Sequence, residues 1–212
     1  RHAVHHTGQL PVYRNQIYSA YVEYKNMLKE LFFTLSLSHT RNWKNRIQEQ
    51  QIHEDQVVLV YHPISTHGTG WSVNGTISKG FFDWGLKTSL NYSFGLQESE
   101  QISGGVKLPY KSSYMYYEPK ISWNPVNRLT LDYEGSIRYG GTKIANATKL
   151  SPLLNVVQKL NLSYDFKLIE LGFSTDHYYN DVSADKSVNA FLLDASLKWQ
   201  SGPWQIHLKA NN

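Results

Sequence analysis

Histidine is the first residue type in this chain that could do chemistry. His2, His5 and His6 crowd the N-terminal RHAVHHTG, and His53, His62 and His67 fall in the stretch 42–69. Imidazole is the commonest transition-metal ligand, so contact with a metal or with haem is what such residues could provide. The spacing in RHAVHHTG fits no helical or hairpin metal motif, and exposed loop histidines are the simpler reading of both groups. Asp132 and Glu134 stand two apart and would share a face of a strand. Paired carboxylates can do acid–base work, but no nucleophile or histidine accompanies these two. No GxSxG, HExxH, phosphate-loop or dinucleotide fingerprint occurs, so neither an enzyme nor a cofactor is expected. A third set is mainly aromatic: Trp43, Tyr61, His62, His67, Tyr110, Tyr114, Tyr178 and Tyr179. Tyr and Trp bring large contact area at little entropic cost and stack on sugars and chelate rings. Ligand contact is the chemistry expected of this set, from loops.

The elements that position these residues are legible in the alternation of the chain. In NRLTLDYEGSIRYGG (127–141), Leu129, Leu131, Tyr133, Ile137 and Tyr139 fall on one parity. Thr130, Asp132, Glu134, Ser136 and Arg138 fall on the other. Successive side chains of a strand point to opposite faces, so one face is apolar and aromatic and the other charged. The same pattern recurs in LFFTLSLSH, WSVNGTISK, LKTSLNYSF, KLNLSYDF, IELGFST, FLLDASLKW and WQIHLKA. A helical period fits none of them. About ten strands are predicted, near 16–25, 31–41, 70–79, 85–97, 113–123, 129–140, 156–165, 169–178, 188–199 and 204–212. The expected fold is all-β: an antiparallel up-and-down meander, open and curved in this chain, and part of a larger transmembrane β-barrel.

Connector lengths alternate as well. KNMLKE, GFFDW, NPVNR, KL and QSGP are short, whereas 42–69, 98–112, 141–155 and 179–187 are long. Short turns at one end and long loops at the other are the habit of outer-membrane barrels. Tyr24, Phe82, Trp84, Trp123, Phe166, Trp199 and Trp204 sit beside the short turns, where a belt of rings would meet a membrane interface. In that reading the apolar face meets lipid. Asp132, Glu134, Arg138, Glu170, Asp194 and Lys198 then face a wet lumen or a polar plug. Composition agrees: the chain is 41% hydrophobic and 14% aromatic, with no apolar run long enough for a membrane-spanning helix. The absence of cysteine removes disulfides and thiolate metal sites. The net charge of +4 is mild and scattered, without the clustered basic stripe of a nucleic-acid binder.

YVEYKNMLKELFFTLSLSHTRNWKNR (21–46) resembles a strand–turn–strand unit of TonB-dependent outer-membrane receptors, in the branch with starch-utilisation-type transporters. WSVNGTISKGFFDWGLKTSLNYSFG (71–95) and the closing WQIHLKANN are similar to other parts of such barrels. The resemblance covers essentially the whole chain and rests on alternation and turns. It implies a barrel of about 22 strands with an N-terminal plug. It also implies contact with the TonB energy transducer, outer-membrane lipid as surroundings and a surface lipoprotein as a further partner. The chain (1–212) is then expected to be one partial barrel domain, with the plug outside it. The implied function is energy-coupled uptake of a nutrient such as a glycan or metal chelate. A passive porin-type channel, and a soluble or surface β-sandwich binding module, are the alternatives.

Overall fold

A computed structural model describes residues 11–53, 56–103, 105–145 and 152–212. His2, His5 and His6 lie outside the described residues. The chain runs through β1 (Tyr13–Asn26), β2 (Leu31–Lys44), β3 (Ile47–His53), β4 (Gln56–His62), β5 (Thr66–Phe81) and β6 (Leu86–Ser103). It continues through β7 (Val106–Val126), β8 (Leu129–Ile144), β9 (Leu153–Phe166), β10 (Ile169–Ser183), β11 (Lys186–Ser201) and β12 (Trp204–Asn211). Among the described residues the only helical piece is a 3₁₀ turn, Phe82–Trp84.

Ten strands form one sheet in the order β1-β2-β5-β6-β7-β8-β9-β10-β11-β12, and β3-β4 form a separate hairpin. Each strand of the large sheet pairs antiparallel with its neighbours, and β1 and β12 are its open edges. The meander, its openness and its two end strands are therefore as the alternation predicts. The stretch 42–69 differs from expectation. It holds the ends of β2 and β5 together with β3 and β4, because VVLVY (57–61) is an apolar run rich in β-branched residues that pairs with residues 48–52. The stretch 98–112 also differs. There β6 and β7 stay paired out to Ser103 and Val106, so most of the stretch is strand rather than loop. At 21 residues, β7 has about twice the 9–11 that a tilted membrane-crossing strand needs.

The short turns are closed by local chemistry. Lys29 N donates to Asn26 Oδ1 (3.0 Å), and Glu30, with φ 45°, donates its N–H to Met27 O (3.2 Å). Gly85 ends the 3₁₀ turn at φ 58°, a left-handed conformation that glycine adopts without steric cost. Pro125 sits in the register shift between Trp123 and Val126, the kind of place where a residue without an N–H is tolerated.

Register carries one parity across all ten strands. The chain of direct partners Tyr24–Phe33–Ile77–Leu90, and likewise Trp123–Leu131–Leu162–Phe173, stays on one face. The opposite face carries Ser38, Ser72, Lys120, Glu134, Asn161, Ser174 and their kin. Asp132, Glu134, Arg138, Glu170, Asp194 and Lys198 all belong to that second face. Among the described residues, Ile102 is the only buried hydrophobic side chain and no side chain is fully enclosed. This is a single layer without an interior, not a pair of sheets packed on a common core.

Two glycines make room for tyrosine rings on the neighbouring strand. A Cβ on Gly75 would stand 2.3 Å from Tyr92 Oη and 2.6 Å from Thr34 O, whereas the nearest atoms to one on Gly95 all belong to the Tyr114 side chain, from 2.1 Å. The Tyr114 obstruction can swing away, and the Thr34 carbonyl cannot. Gly75→Ala is therefore expected to cost about 1–3 kcal/mol, with little relief from Tyr92→Ala. Gly95→Ala should be largely relieved by Tyr114→Ala. Urea unfolding of the two double-mutant cycles in detergent micelles measures both; equal relief in the two cycles would contradict this account.

Candidate functional site

The polar face concentrates the chemistry. Hydroxyls and amides bridge neighbouring strands: Ser38 Oγ lies 2.7 Å from Ser72 Oγ, and Thr76 Oγ1 donates to Asn91 Oδ1 at 2.9 Å. Ser93 Oγ donates to Asn74 Oδ1 at 2.6 Å. At mid-sheet Lys120 donates to Glu118 (2.8 Å) along its own strand and to Glu134 (2.7 Å) across the β7–β8 pair. Tyr116 Oη donates to Glu118 at 2.9 Å, and the Arg138 guanidinium lies 5.2 Å from the Tyr116 ring centre. Glu170 and Lys198 pair at 3.3 Å. Exposed pairs of this kind contribute little to stability, so their effect is chiefly to orient side chains.

Hollows also open on this face. A hollow of about 410 Å³ is lined by Ser78, Lys87, Lys120, Asp132, Glu134 and Asn161, drawn from β5 to β9. A second, of about 540 Å³, is bounded by Tyr114, Tyr116, Arg138 and Asn155. A third lies at the end away from the short turns. It measures about 560 Å³, within the usual range for ligand pockets, and its wall includes Tyr13, Asn42, Tyr61, Gln97, Glu100 and Tyr110.

That third hollow is built by the extended ends of the strands. Val12 and Asn45 clasp each other, Val12 N donating to Asn45 Oδ1 (2.8 Å) and Asn45 N to Val12 O (3.1 Å). This ties the start of β1 to the end of β2. In the β3–β4 hairpin the buried carboxylate of Glu49 meets His62 Nε2 at 2.8 Å, and Arg46 lies 5.1 Å from the Tyr61 ring centre. Glu100 fastens the start of β5 by accepting from His67 N (2.9 Å) and from Lys107 Nζ (2.9 Å). Lys107 also donates to Ser65 O at 3.1 Å. Burial pushes the Glu100 carboxyl up, but the His67 amide and the Lys107 ammonium outweigh it and hold the group below its ordinary range. Three phenol rings, several amides and a carboxylate around one cavity suit a ligand that offers both flat faces and hydroxyls.

All eight residues predicted as loop contacts lie in strands. Trp43 is in β2, Tyr61 and His62 in β4, His67 in β5, Tyr110 and Tyr114 in β7, and Tyr178 and Tyr179 in β10. The correction has one cause: strand pairing continues well past the expected ends. Tyr61 and Tyr110 come together at the third hollow, and His62 braces its hairpin through Glu49. Tyr114 lines the second hollow. Tyr178, on the polar face, donates to Asp176 at 3.0 Å. Register puts Trp43, His67 and Tyr179 on the apolar-face parity, where Trp43 pairs directly with His67. Tyr13 and Tyr116 escaped sequence reasoning, although Tyr110, Tyr114 and Tyr116 share a parity along β7 that could have flagged Tyr116. Among the described residues no group of three or more His, Asp or Glu side chains is placed to hold a metal ion. The backbone of His53 ends β3.

No family model matches the chain, and a search of curated proteins returns no match.

The Glu100 clamp has a pH signature. A carboxyl whose value is lowered on folding contributes stability that is complete above its ordinary value of 4.5 and is lost as pH falls through the lowered one. Amide exchange at His67 should therefore be protected at neutral pH and lose protection in acid. Glu100→Gln should show weaker protection with no acid transition. A wild-type profile that is flat down to strongly acidic pH would refute the clamp.

Proposed function

We propose that this chain is a section of a transmembrane β-barrel of the bacterial outer membrane, from a TonB-dependent receptor that takes up a nutrient such as a glycan or a metal chelate. The observation that carries the reading is the chemistry of the apolar face, which is banded. Beside the short turns it holds Tyr24, Phe33, Phe81, Trp123, Phe166, Trp199 and Trp204. Trp84 joins this belt, stacking on Phe81 at 5.7 Å and accepting a hydrogen bond on its carbonyl from Trp123 Nε1 (3.1 Å). Toward the other end the same face holds Tyr18, His39, Trp71, Tyr139, Tyr179 and Phe191. Between the belts this face is aliphatic on β1, β2 and β5, as in the row Ala20–Leu37–Val73, and on β6 to β10 it mixes aliphatic residues with rings such as Tyr92, Phe94, Tyr117, Tyr133 and Phe173. Trp71 and Phe81 are ten residues apart on β5. At about 3.3 Å per residue and a tilt near 40°, that is roughly 25 Å, the height of the apolar band of an outer-membrane barrel.

The polar face would be the lumen. It also carries apolar patches near both edges of the sheet: Ile17 and Tyr21 on β1, and Val188 and Leu192 on β11, all exposed. Water gains nothing from such patches, whereas a plug domain would cover them. That favours a plugged receptor over a passive channel. The third hollow, at the end with the extended hairpins, would be the capture site. Tyr13, Tyr61 and Tyr110 would stack on the cargo while Asn42 and Gln97 bond its hydroxyls. The TonB transducer and a surface lipoprotein are the partners this reading carries with it.

Two measurements on the protein from the full reading frame test it. In lipid vesicles Leu131→Arg should cost about 2–4 kcal/mol of unfolding free energy, because it places a guanidinium in hydrocarbon. Asp132→Arg should stay within about 0.5 kcal/mol of the parent. Equal losses, or a larger loss at Asp132, would reject the assignment of the faces. In planar bilayers a plugged receptor should hold its current near zero, and steady conductance on insertion would point to a passive porin.

A further inference from the structure

On the apolar-face parity of β1, β2 and β5, four successive rows change character with distance from the mid-sheet. The first is Ala20–Leu37–Val73 and the second Tyr18–His39–Trp71. The third is Gln16–Arg41–Thr69 and the fourth Arg14–Trp43–His67. Aliphatic gives way to aromatic, then to polar and cationic, in the order in which a bilayer passes from acyl chain through interface to headgroup. Resting on the reading of this face as lipid-covered, we propose that Arg14 and Arg41 form a binding site for the phosphate of an anionic lipid headgroup.

The side chains are arranged for that task. Trp71 and His39 pack at 4.1 Å between ring centres, with Tyr18 stacked on the other side of His39 at 6.4 Å. His39 Nδ1 donates to Gly70 O at 3.1 Å, so Nε2 is the acceptor that Arg41 Nε reaches at 3.0 Å. This fixes Arg41 through Nε and leaves its Nη fork for a bidentate phosphate contact. Arg14 lies 5.6 Å from the Trp43 ring centre. A guanidinium stacked on a ring keeps its in-plane donors available. Arg14 is the direct partner of Trp43, two residues along from Arg41. The two cations are therefore diagonal neighbours on one face, at roughly 7–8 Å between Cα atoms, close enough to share one phosphate.

Charge complementarity selects the occupant. Glu98, the carboxylate in the third row, and Glu100, which accepts from His67 N, are engaged by Lys111 and Lys107 and so are already neutralised by other cations. The rings directly beneath suit the first methylenes of the acyl chains of the same lipid. A soluble phosphate would use the fork but not the rings.

The test is partitioning of the full chain, folded in detergent, into phosphatidylcholine vesicles with and without phosphatidylglycerol. The wild type should bind the anionic vesicles more tightly. Arg14→Gln/Arg41→Gln should weaken binding to anionic vesicles by roughly thirtyfold, at about 1 kcal/mol per cation, and leave binding to neutral vesicles unchanged. Lys25→Gln/Lys159→Gln removes the same charge from the polar face and should keep the preference. An arginine variant that keeps the preference overturns the proposal. So does a lysine variant that loses it equally, since net charge would then explain the effect. Failure of the wild type to enter either vesicle would overturn the lipid reading itself, and this site with it.

Discussion

A single register, propagated without a break of parity through ten antiparallel strands, is the constraint on which the other features depend. In a strand the side-chain period is two, so a slip by one residue would move every ring to the polar face and every carboxylate to the apolar one. The ladder between β1 and β2 runs from Tyr13↔Lys44 to Asn26↔Leu31 without interruption, and β2 and β5 continue it from Leu31↔Lys79 to Lys44↔Thr66. Even the shift between Trp123 and Val126 restores the pairing of Leu129 with Val126 on the same face. Because the layer has no partner sheet, nothing but this register sorts polar from apolar. The rows that result are the functional units: a cation meets its carboxylate, or a guanidinium its ring, because the ladder places them side by side.

The two ends of the sheet solve different problems. At one end the strands turn back at once, and the turns are fastened by backbone bonds such as Asn124 N to Gly85 O (2.9 Å) and Asp165 N to Arg128 O (2.8 Å). Their neighbours are large rings. At the other end the pairing runs on, and the β3–β4 hairpin rises from the β2–β5 connection to wall a hollow. That end is fastened by side chains: the Val12–Asn45 clasp, the Glu49–His62 pair and the Glu100 clamp. Side-chain fastenings can be released one at a time, whereas a hairpin ladder opens as a unit.

Much of this was legible in the sequence because period-two alternation is a local signal. Leu129 through Tyr139 sort themselves by parity with no knowledge of the neighbouring strands, and so do the six charged residues of the polar face. What was illegible depended on register between strands. Nothing near Trp43 announces that Arg14 will lie over it, because the two are 29 residues apart in the chain. The tips were misread for another reason: polar, glycine-containing segments such as 98–112 look like loops, yet they stay extended because each tip strand pairs with its own partner. The β3–β4 hairpin did carry a sign, the run VVLVY, which the surrounding polar residues masked.

The large sheet also raises a question of cover. Trp71, Trp204, Ile206 and Leu208 are about half exposed or more, and the described residues enclose one buried hydrophobic side chain, Ile102. A chain of this length that folds in water normally hides most of its apolar surface in a packed interior. A contiguous apolar face this extensive marks a surface that something else covers. A protein partner would need complementary bumps across ten strands, with tryptophans such as Trp71, Trp123, Trp199 and Trp204 gathered at the margins. Hydrocarbon needs no shape complementarity, and the margins are where rings gain from touching both lipid and water. The banding of one face, rather than its apolarity alone, is therefore what favours lipid as the cover. The charged opposite face then needs only to be wet or plugged.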